Sequence, residues 1–112
     1  MPFPVLPSRN VVYHEEGLTL YLVDVCGQLT FHVDIEKEIT PKYLRHLYEV
    51  FASFLVVLQA KGWNHLDTWI PPNCASEIAF AEKFGFHQTG YNKILFGENG
   101  NTIQFAELRI DF

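Results

Sequence analysis

The apolar residues of this chain change their spacing at Thr40-Pro41, and this change constrains the fold more than any other feature. Before this point apolar and polar residues alternate, which is typical of strands with one buried face. After it apolar residues recur every three or four positions, which is typical of an amphipathic helix. Thr-Pro is a favoured helix start and Lys-Gly a favoured helix end. The sequence therefore predicts one long helix from Thr40-Pro41 to Lys61-Gly62.

Strands are predicted on the N-terminal side of this helix. In residues 18–25 and 29–35, large apolar side chains recur at every second position, which predicts two strands. Gly27 between them indicates a tight hairpin turn. Residues 10–15 predict a further short strand. Residues 1–9 contain three prolines and are expected to be extended.

The part after the helix predicts further strands and a second helix. Residues 65–70 predict a strand, and Pro71-Pro72 ends it. Asn73 is expected to cap a helix from about Cys74 to Phe84, which Gly85 ends. Two more strands are expected at 86–96 and 101–110, joined by a hairpin turn at Asn99-Gly100.

These elements give the order β-β-β-α-β-α-β-β and an α+β fold with a mixed, mostly antiparallel sheet and two helices. The strands before and after the long helix should be parallel neighbours joined by a right-handed crossover, with a helix on each face of the sheet. An antiparallel arrangement of residues 29–35 and 65–70 would instead indicate an unrelated α+β fold. Residues 10–112 are expected to form a single domain after the extended residues 1–9.

Composition and charge narrow the classes of function. The chain has 112 residues, 48% of them hydrophobic, which is enough for a packed core without metals or disulfides. Its net charge of −5 argues against a nucleic-acid partner, because phosphate binding needs a basic surface. No Cys/His cluster has zinc spacing, so no metal site is predicted. The longest apolar run, residues 54–58, is too short for a membrane span, and we expect a soluble, cytoplasmic protein.

The segment NCASEIAFAEKFGF, residues 73–86, resembles the C-terminal signature of the GCN5-related N-acetyltransferase (GNAT) superfamily. That signature has an Asn, a helix and then Tyr-Glu-Lys-Leu-Gly-Phe, and this chain is similar to it from Glu82 to Phe86. Together with the element order, the resemblance covers nearly the whole chain. Relative to the family, the pattern is truncated at the N-terminus, since the family's first strand and first two helices have no counterpart in it. It implies transfer of an acyl group from acyl-CoA, such as acetyl-CoA, to an amine.

Two features depart from the GNAT pattern. The family holds the CoA pyrophosphate with a glycine-rich loop and a helix N-terminus, whereas residues 36–41 here read EKEITP, with two carboxylates and no glycine. The family tyrosine that protonates the departing thiolate is replaced by Ala81. These departures indicate a degraded cofactor site. They leave open a non-catalytic GNAT-like scaffold that binds a protein partner or forms a homo-oligomer.

Residues 63–91 are also similar to short, divergent GNAT-like proteins of tailed bacteriophages, which tend to lack the glycine-rich loop. The shared pattern is a Trp-containing strand, an Asn-started helix that ends in Gly, and an aromatic hairpin. This resemblance implies a phage-encoded protein, located in the host cytoplasm or in the virion.

The GNAT resemblance places the candidate site between residues 29–35 and 65–70. His32 lies on the polar side of its strand and is the candidate general base, and Tyr91 is the candidate substitute for the missing tyrosine. The candidate cofactor-binding residues lie at the end of that strand and at the start of the second helix: Asp34, Ile35, Asn73 and Ser76.

Each candidate also has an ordinary structural interpretation. His32 is also compatible with a solvated or capped strand residue, and Asn73 or Ser76 with an N-cap of the second helix. His65 and Asp67 alternate onto one face of their strand, where they form either an amine-binding pair or a surface pair.

Overall fold

The computed structural model describes residues 8–25, 27–97 and 99–112, so residues 1–7 of the predicted extended segment lie outside the described residues. It contains six strands and two helices in the predicted order. These are β1 (Ser8–Glu15), β2 (Leu18–Val25), β3 (Gln28–Ile35), α1 (Pro41–Ala60), β4 (His65–Ile70), α2 (Ala75–Lys83), β5 (His87–Phe96) and β6 (Thr102–Asp111). The first strand begins at Ser8 rather than at Asn10.

The six strands form one mixed sheet in the order β1-β2-β3-β4-β6-β5. Strands β3 and β4 are parallel, and the other neighbouring pairs are antiparallel. The α+β class with a mixed, mostly antiparallel sheet is therefore confirmed. The parallel arrangement of β3 and β4 also excludes the alternative in which these two strands run in opposite directions.

Both helices lie on the same face of the sheet, so the prediction of a helix on each face is wrong. The ring of Phe84, at the C-terminus of α2, lies 4.6 Å from that of Tyr48 and 5.6 Å from that of Phe51 in α1. The reason is topological, because β3-α1-β4 and β4-α2-β5 both join parallel strands and advance in one direction across the sheet. Right-handed crossovers that advance in one direction leave their helices on one side.

The core lies between the helices and this face. The ring of Phe31 in β3 lies 5.5 Å from Phe51, 5.6 Å from Phe54 and 6.3 Å from Phe86, so β3, α1 and the start of β5 meet around one aromatic side chain. Full burial of a large apolar side chain stabilises a fold by roughly 1.5–3 kcal/mol. The largest fully buried side chains come from three strands: Leu18, Leu66 and Leu108.

Helix α1 begins and ends as predicted. The backbone N–H of Tyr43 donates to the hydroxyl of Thr40 at 3.1 Å, and Pro41 occupies the first turn, where its missing N–H costs nothing. At the other end Gly62 has φ of +94°, and the N–H of Trp63 donates to the carbonyl of Leu58 at 3.0 Å. This is a Schellman cap, which satisfies the last carbonyls of the helix.

Helix α2 ends as predicted but begins differently. Gly85 has φ of +103°, and the N–H of Phe86 donates to the carbonyl of Ala81 at 3.3 Å, which repeats the cap of α1. The N-cap residue is Cys74, and it makes no capping hydrogen bond through its side chain. The predicted N-cap role of Asn73 is therefore wrong, because the helix begins one residue later. Within the described residues, neither helix has both the length and the apolar character that a bilayer span needs.

We predict that Gly85→Ala destabilises the protein more than Gly62→Ala. Both glycines have positive φ, which costs an alanine about 1–2 kcal/mol. A Cβ on Gly85 would in addition lie 2.9 Å from Cδ1 of Ile110, whereas a Cβ on Gly62 would meet nothing within 4 Å. Chemical denaturation measures both differences.

The contact with Ile110 is tested separately by the variant Ile110→Val, which lacks the Cδ1 atom. In that background Gly85→Ala should cost about as much as Gly62→Ala does in the native chain. An unchanged excess cost in the Ile110→Val background would contradict this packing explanation.

Candidate functional site

A cleft opens between the parallel strands β3 and β4. Both strands are described in full, and the Cα register between them consists of one pair, Thr30 opposite Asp67. Beyond that pair the hydroxyl of Thr68 donates to the carbonyl of Phe31 at 2.8 Å, a side-chain contact where a continuous ladder would use a backbone N–H. Towards their carboxyl ends the two strands therefore part.

The parted strands and the two helices enclose a cavity of about 550 Å³. Its walls are mostly apolar, and they include Leu47 and Phe51 of α1 together with Phe80 and Ala81 of α2. Polar side chains are fewer: His32, Asp34, Thr68, Ser76 and Glu77. A mostly apolar cavity with a few polar groups at its rim is the usual form of a small-molecule site.

The histidine and the aspartate at the cleft form a pair. Nε2 of His32 lies 3.4 Å from Oδ1 of Asp34, and both side chains are about half exposed, 49% and 47%. The ring of Tyr21 on β2 lies 6.0 Å from the imidazole of His32. A carboxylate beside an imidazole restrains its orientation, and an oriented imidazole can take a proton from an amine or a hydroxyl.

The structure brings some of the predicted site residues together. His32, Asp34, Ile35 and Ser76 all line the cavity, from the end of β3 and the first turn of α2. These four positions follow from the parallel crossover, which sets the carboxyl end of β3 beside that of β4.

Two predicted site residues do not line the cavity. Tyr91 is 71% exposed and lies where the register of β5 against β6 shifts, on the far side of β6 from β4. Asn73 is exposed in the turn before α2, where its side-chain oxygen accepts from the thiol of Cys74 at 3.8 Å. Reaching the cavity would require both side chains to move.

In residues 36–41, the loop that the GNAT resemblance assigns to the pyrophosphate, some backbone N–H groups already donate to other groups of the chain. The N–H of Glu36 donates to the carbonyl of Gly17 at 2.8 Å, and the N–H of Thr40 donates to the carbonyl of Glu38 at 3.1 Å. At the start of α1 the N–H of Tyr43 is capped by Thr40, and Pro41 has no N–H to give. The helix end therefore offers few free donors to an anion, in contrast to the anion sites common at helix N-termini.

A network of buried carboxylates on the helix-free face of the sheet was not predicted. Asp67 is 4% exposed, and its carboxylate accepts from Nε and Nη2 of Arg109 at 2.6 Å and 3.1 Å. Nε2 of His65 lies 3.9 Å from it. His65 and Asp67 therefore lie close together as predicted, but they do not form a surface pair, because Asp67 is buried and its nearest partner is a guanidinium on β6. The bidentate bond to Asp67 raises the pKa of Arg109.

Glu107 on β6 joins this network. Nε2 of Gln28 donates both to Asp67, at 3.1 Å, and to Glu107, at 3.2 Å, and so links β3 to β4 and β6. The hydroxyl of Thr89 donates to Glu107 at 3.0 Å, and Nζ of Lys93 lies 3.4 Å away. Burial alone would raise the pKa of Glu107, but the bonds from Gln28, Thr89 and Lys93 outweigh it, so the pKa is lowered.

We predict that Glu107→Gln reduces the acid sensitivity of the fold. A carboxyl whose pKa is lowered by folding stabilises the folded state above its ordinary pKa of 4.5, and that contribution is lost as the pH falls through the lowered value. The glutamine cannot titrate, so the variant should be less stable than the native chain at pH 7 and lose less stability on acidification. Denaturation across this pH range measures both effects.

The matched control is Glu16→Gln, in the exposed turn between β1 and β2. Its stability should fall with decreasing pH as steeply as that of the native chain. Equal slopes for Glu107→Gln and the native chain would contradict the role given to the Glu107 carboxylate.

Comparison with known proteins finds no match to this chain among protein-family models, curated proteins or solved structures. The site must therefore be interpreted from its own geometry. That geometry is a cleft between two parting parallel strands, with an apolar interior and a His32–Asp34 pair at its rim.

Proposed function

We propose that this chain is a divergent GNAT-like N-acyltransferase, which transfers an acyl group from an acyl-CoA such as acetyl-CoA to an amine. The observation that carries the proposal is the parting of β3 and β4 beyond Thr30 and Asp67, with the His32–Asp34 pair beside the opening. The resemblance of residues 82–86 to the GNAT signature supports it.

In this proposal the chain's own residues do three things. The apolar cavity wall receives the acyl and pantetheine part, and Ile35 and Ser76 are among the residues that line it. His32, oriented by Asp34, takes the proton of the attacking amine. A backbone N–H in the gap between β3 and β4 holds the oxygen on which negative charge develops.

At the position of the family's tyrosine this chain has Ala81, so the leaving thiolate needs another source of its proton. The thioester supplies an activated carbonyl carbon, to which the amine nitrogen forms a bond while the carbon–sulfur bond breaks. Ala81 has no proton to donate, so the departing thiolate takes its proton from water or from the imidazolium of His32. The products are an amide and a free thiol.

The pyrophosphate should contribute little to binding. Glu36 and Glu38 repel phosphate, and donors at the start of α1 are engaged within the chain. We therefore expect the pantetheine part of the ligand to supply most of the affinity. In a site that binds CoA through its nucleotide, the phosphates would supply much of it instead.

We predict that acetyl-CoA and S-acetylpantetheine bind with affinities within about tenfold of each other, a difference of about 1.4 kcal/mol. Isothermal titration of the full chain measures this. Ala81→Phe, which fills the cavity from α2, should abolish binding of both ligands, whereas Ala79→Phe, exposed on the same helix, should leave it unchanged. Circular dichroism checks that both variants fold.

Transfer itself is tested by release of free thiol from acetyl-CoA in the presence of an amine. His32→Gln should lower this rate by about 10²-fold or more without weakening ligand binding. If neither ligand binds to the native chain at millimolar concentration, the acyl-transfer proposal fails.

The second candidate is a non-catalytic GNAT-like scaffold, either a protein-binding protein or a phage-encoded protein associated with the virion. The EKEITP loop and Ala81 favour this candidate. The first replaces the glycine-rich loop that holds the CoA pyrophosphate in the GNAT family, and the second replaces the tyrosine that protonates the leaving thiolate. Binding of S-acetylpantetheine without thiol release would favour this candidate over the enzyme.

A further inference from the structure

Strands β5 and β6 extend beyond the body of the sheet. Strand β4 pairs with β6 from Ala106, opposite Ile70, to Asp111, opposite His65. Residues 102–105 of β6 therefore have β5 as their pairing partner, through residues 93–96. We name this two-stranded projection, residues 93–96 and 102–105, the β5–β6 arm.

The arm exposes large apolar side chains on both of its faces. Ile94 is 54% exposed and Phe96 is 75% exposed on one face, and Ile103 is 54% exposed on the other. A two-stranded ribbon is only marginally stable in water, and clustered exposed apolar residues mark interaction surfaces. The arm therefore has the composition of a segment that another chain covers.

The outer side of the arm is an open sheet edge. Strand β5 is the last strand of the sheet, so alternate backbone groups along it face away from β6. Lys93 is the charged residue of the arm, and its Nζ lies 3.4 Å from Glu107 and 5.9 Å from the ring of Trp69. Because this ammonium group lies against Glu107 and Trp69 of the sheet, it does not place a charge at the open edge that would disfavour pairing with another strand.

The opposite edge of the sheet is different. Strand β1 has a register shift between Val11 and Tyr13, and His14 and Glu15 follow directly. Irregular pairing and charge are two devices by which natural edge strands avoid pairing with other chains.

Strand β5 also has a register shift, between Gln88 and Asn92, but this shift precedes the arm, whose residues 93–96 pair regularly with β6 and carry no charge besides Lys93. The edge of the arm is therefore better suited to the addition of a strand than the edge of β1.

We propose that β5 pairs antiparallel with β5 of a second copy of this chain, which continues the sheet across a twofold axis. The arm suits its own copy, because antiparallel pairing of one strand with itself is self-complementary and sets apolar side chains against apolar side chains. Charge also favours this surface: the chain carries −5 overall, so two copies repel elsewhere, but the only charge in residues 93–96 and 102–105 is the paired Lys93. This proposal is independent of acyl transfer.

Light scattering on the full chain, from low to high micromolar concentration, tests the proposal. The native chain should form a dimer whose dissociation is visible on dilution. Phe96→Lys should raise the dissociation constant about tenfold or more, because it sets like charges on the two edges. Val56→Lys is the matched control, since Val56 is 65% exposed on α1, and it should leave the dimer unchanged.

Amide hydrogen exchange on the native chain tests the same edge without a substitution. Amides of residues 93–96 that point away from β6 should exchange slowly at high concentration and faster on dilution, whereas the outer amides of β1 should not depend on concentration. A monomer at all concentrations, filaments rather than dimers, or equal effects of Phe96→Lys and Val56→Lys would each overturn the proposal.

Discussion

The single parallel pairing of β3 with β4, at Thr30 and Asp67, is the contact on which the rest of this structure depends. On one face it is held by the aromatic packing of Phe31 against α1, and on the other by the bond from Arg109 to Asp67. Truncation of one partner of a buried ion pair is strongly destabilising, because it leaves a buried charge without compensation. The junction is thus fixed from both sides, while the strands beyond it are free to part.

The placement of both helices on one face determines the form of the cleft. α1 and α2 close the cavity on the apolar side, and their side chains supply most of its wall. The other side of the gap carries His32 and Asp34, which are about half exposed to solvent. An apolar interior and a solvated imidazole therefore meet at one opening, and this arrangement suits an apolar ligand end with a reactive group at the rim.

The sequence predicted features that local chemistry determines. The helix limits followed from Thr40-Pro41, Gly62 and Gly85, because capping and positive φ depend on one or two residues. The parallel neighbours followed from the length of the crossover. These in turn placed His32, Asp34, Ile35 and Ser76 around one cavity.

Features that depend on register and on the direction of chain crossovers were not predictable in the same way. Alternation assigned Asp67 to a polar face, but only the register of β4 against β6 sets Arg109 opposite it and buries it. Alternation likewise gave no sign that Glu107 would meet Gln28, which is 79 positions away in the chain. The common side of the helices depends on β5 lying on the side of β4 away from β3, which no local pattern records.

The parting of β3 and β4 is tested most directly by interstrand nuclear Overhauser contacts in the native chain. The account predicts backbone contacts between Thr30 and Asp67, and none between Val33 and Ile70, which a continuous parallel ladder would set opposite each other. A regular series of backbone contacts from Thr30 opposite Asp67 to Val33 opposite Ile70 would show a closed ladder. That result would leave no opening for a ligand and would contradict the account.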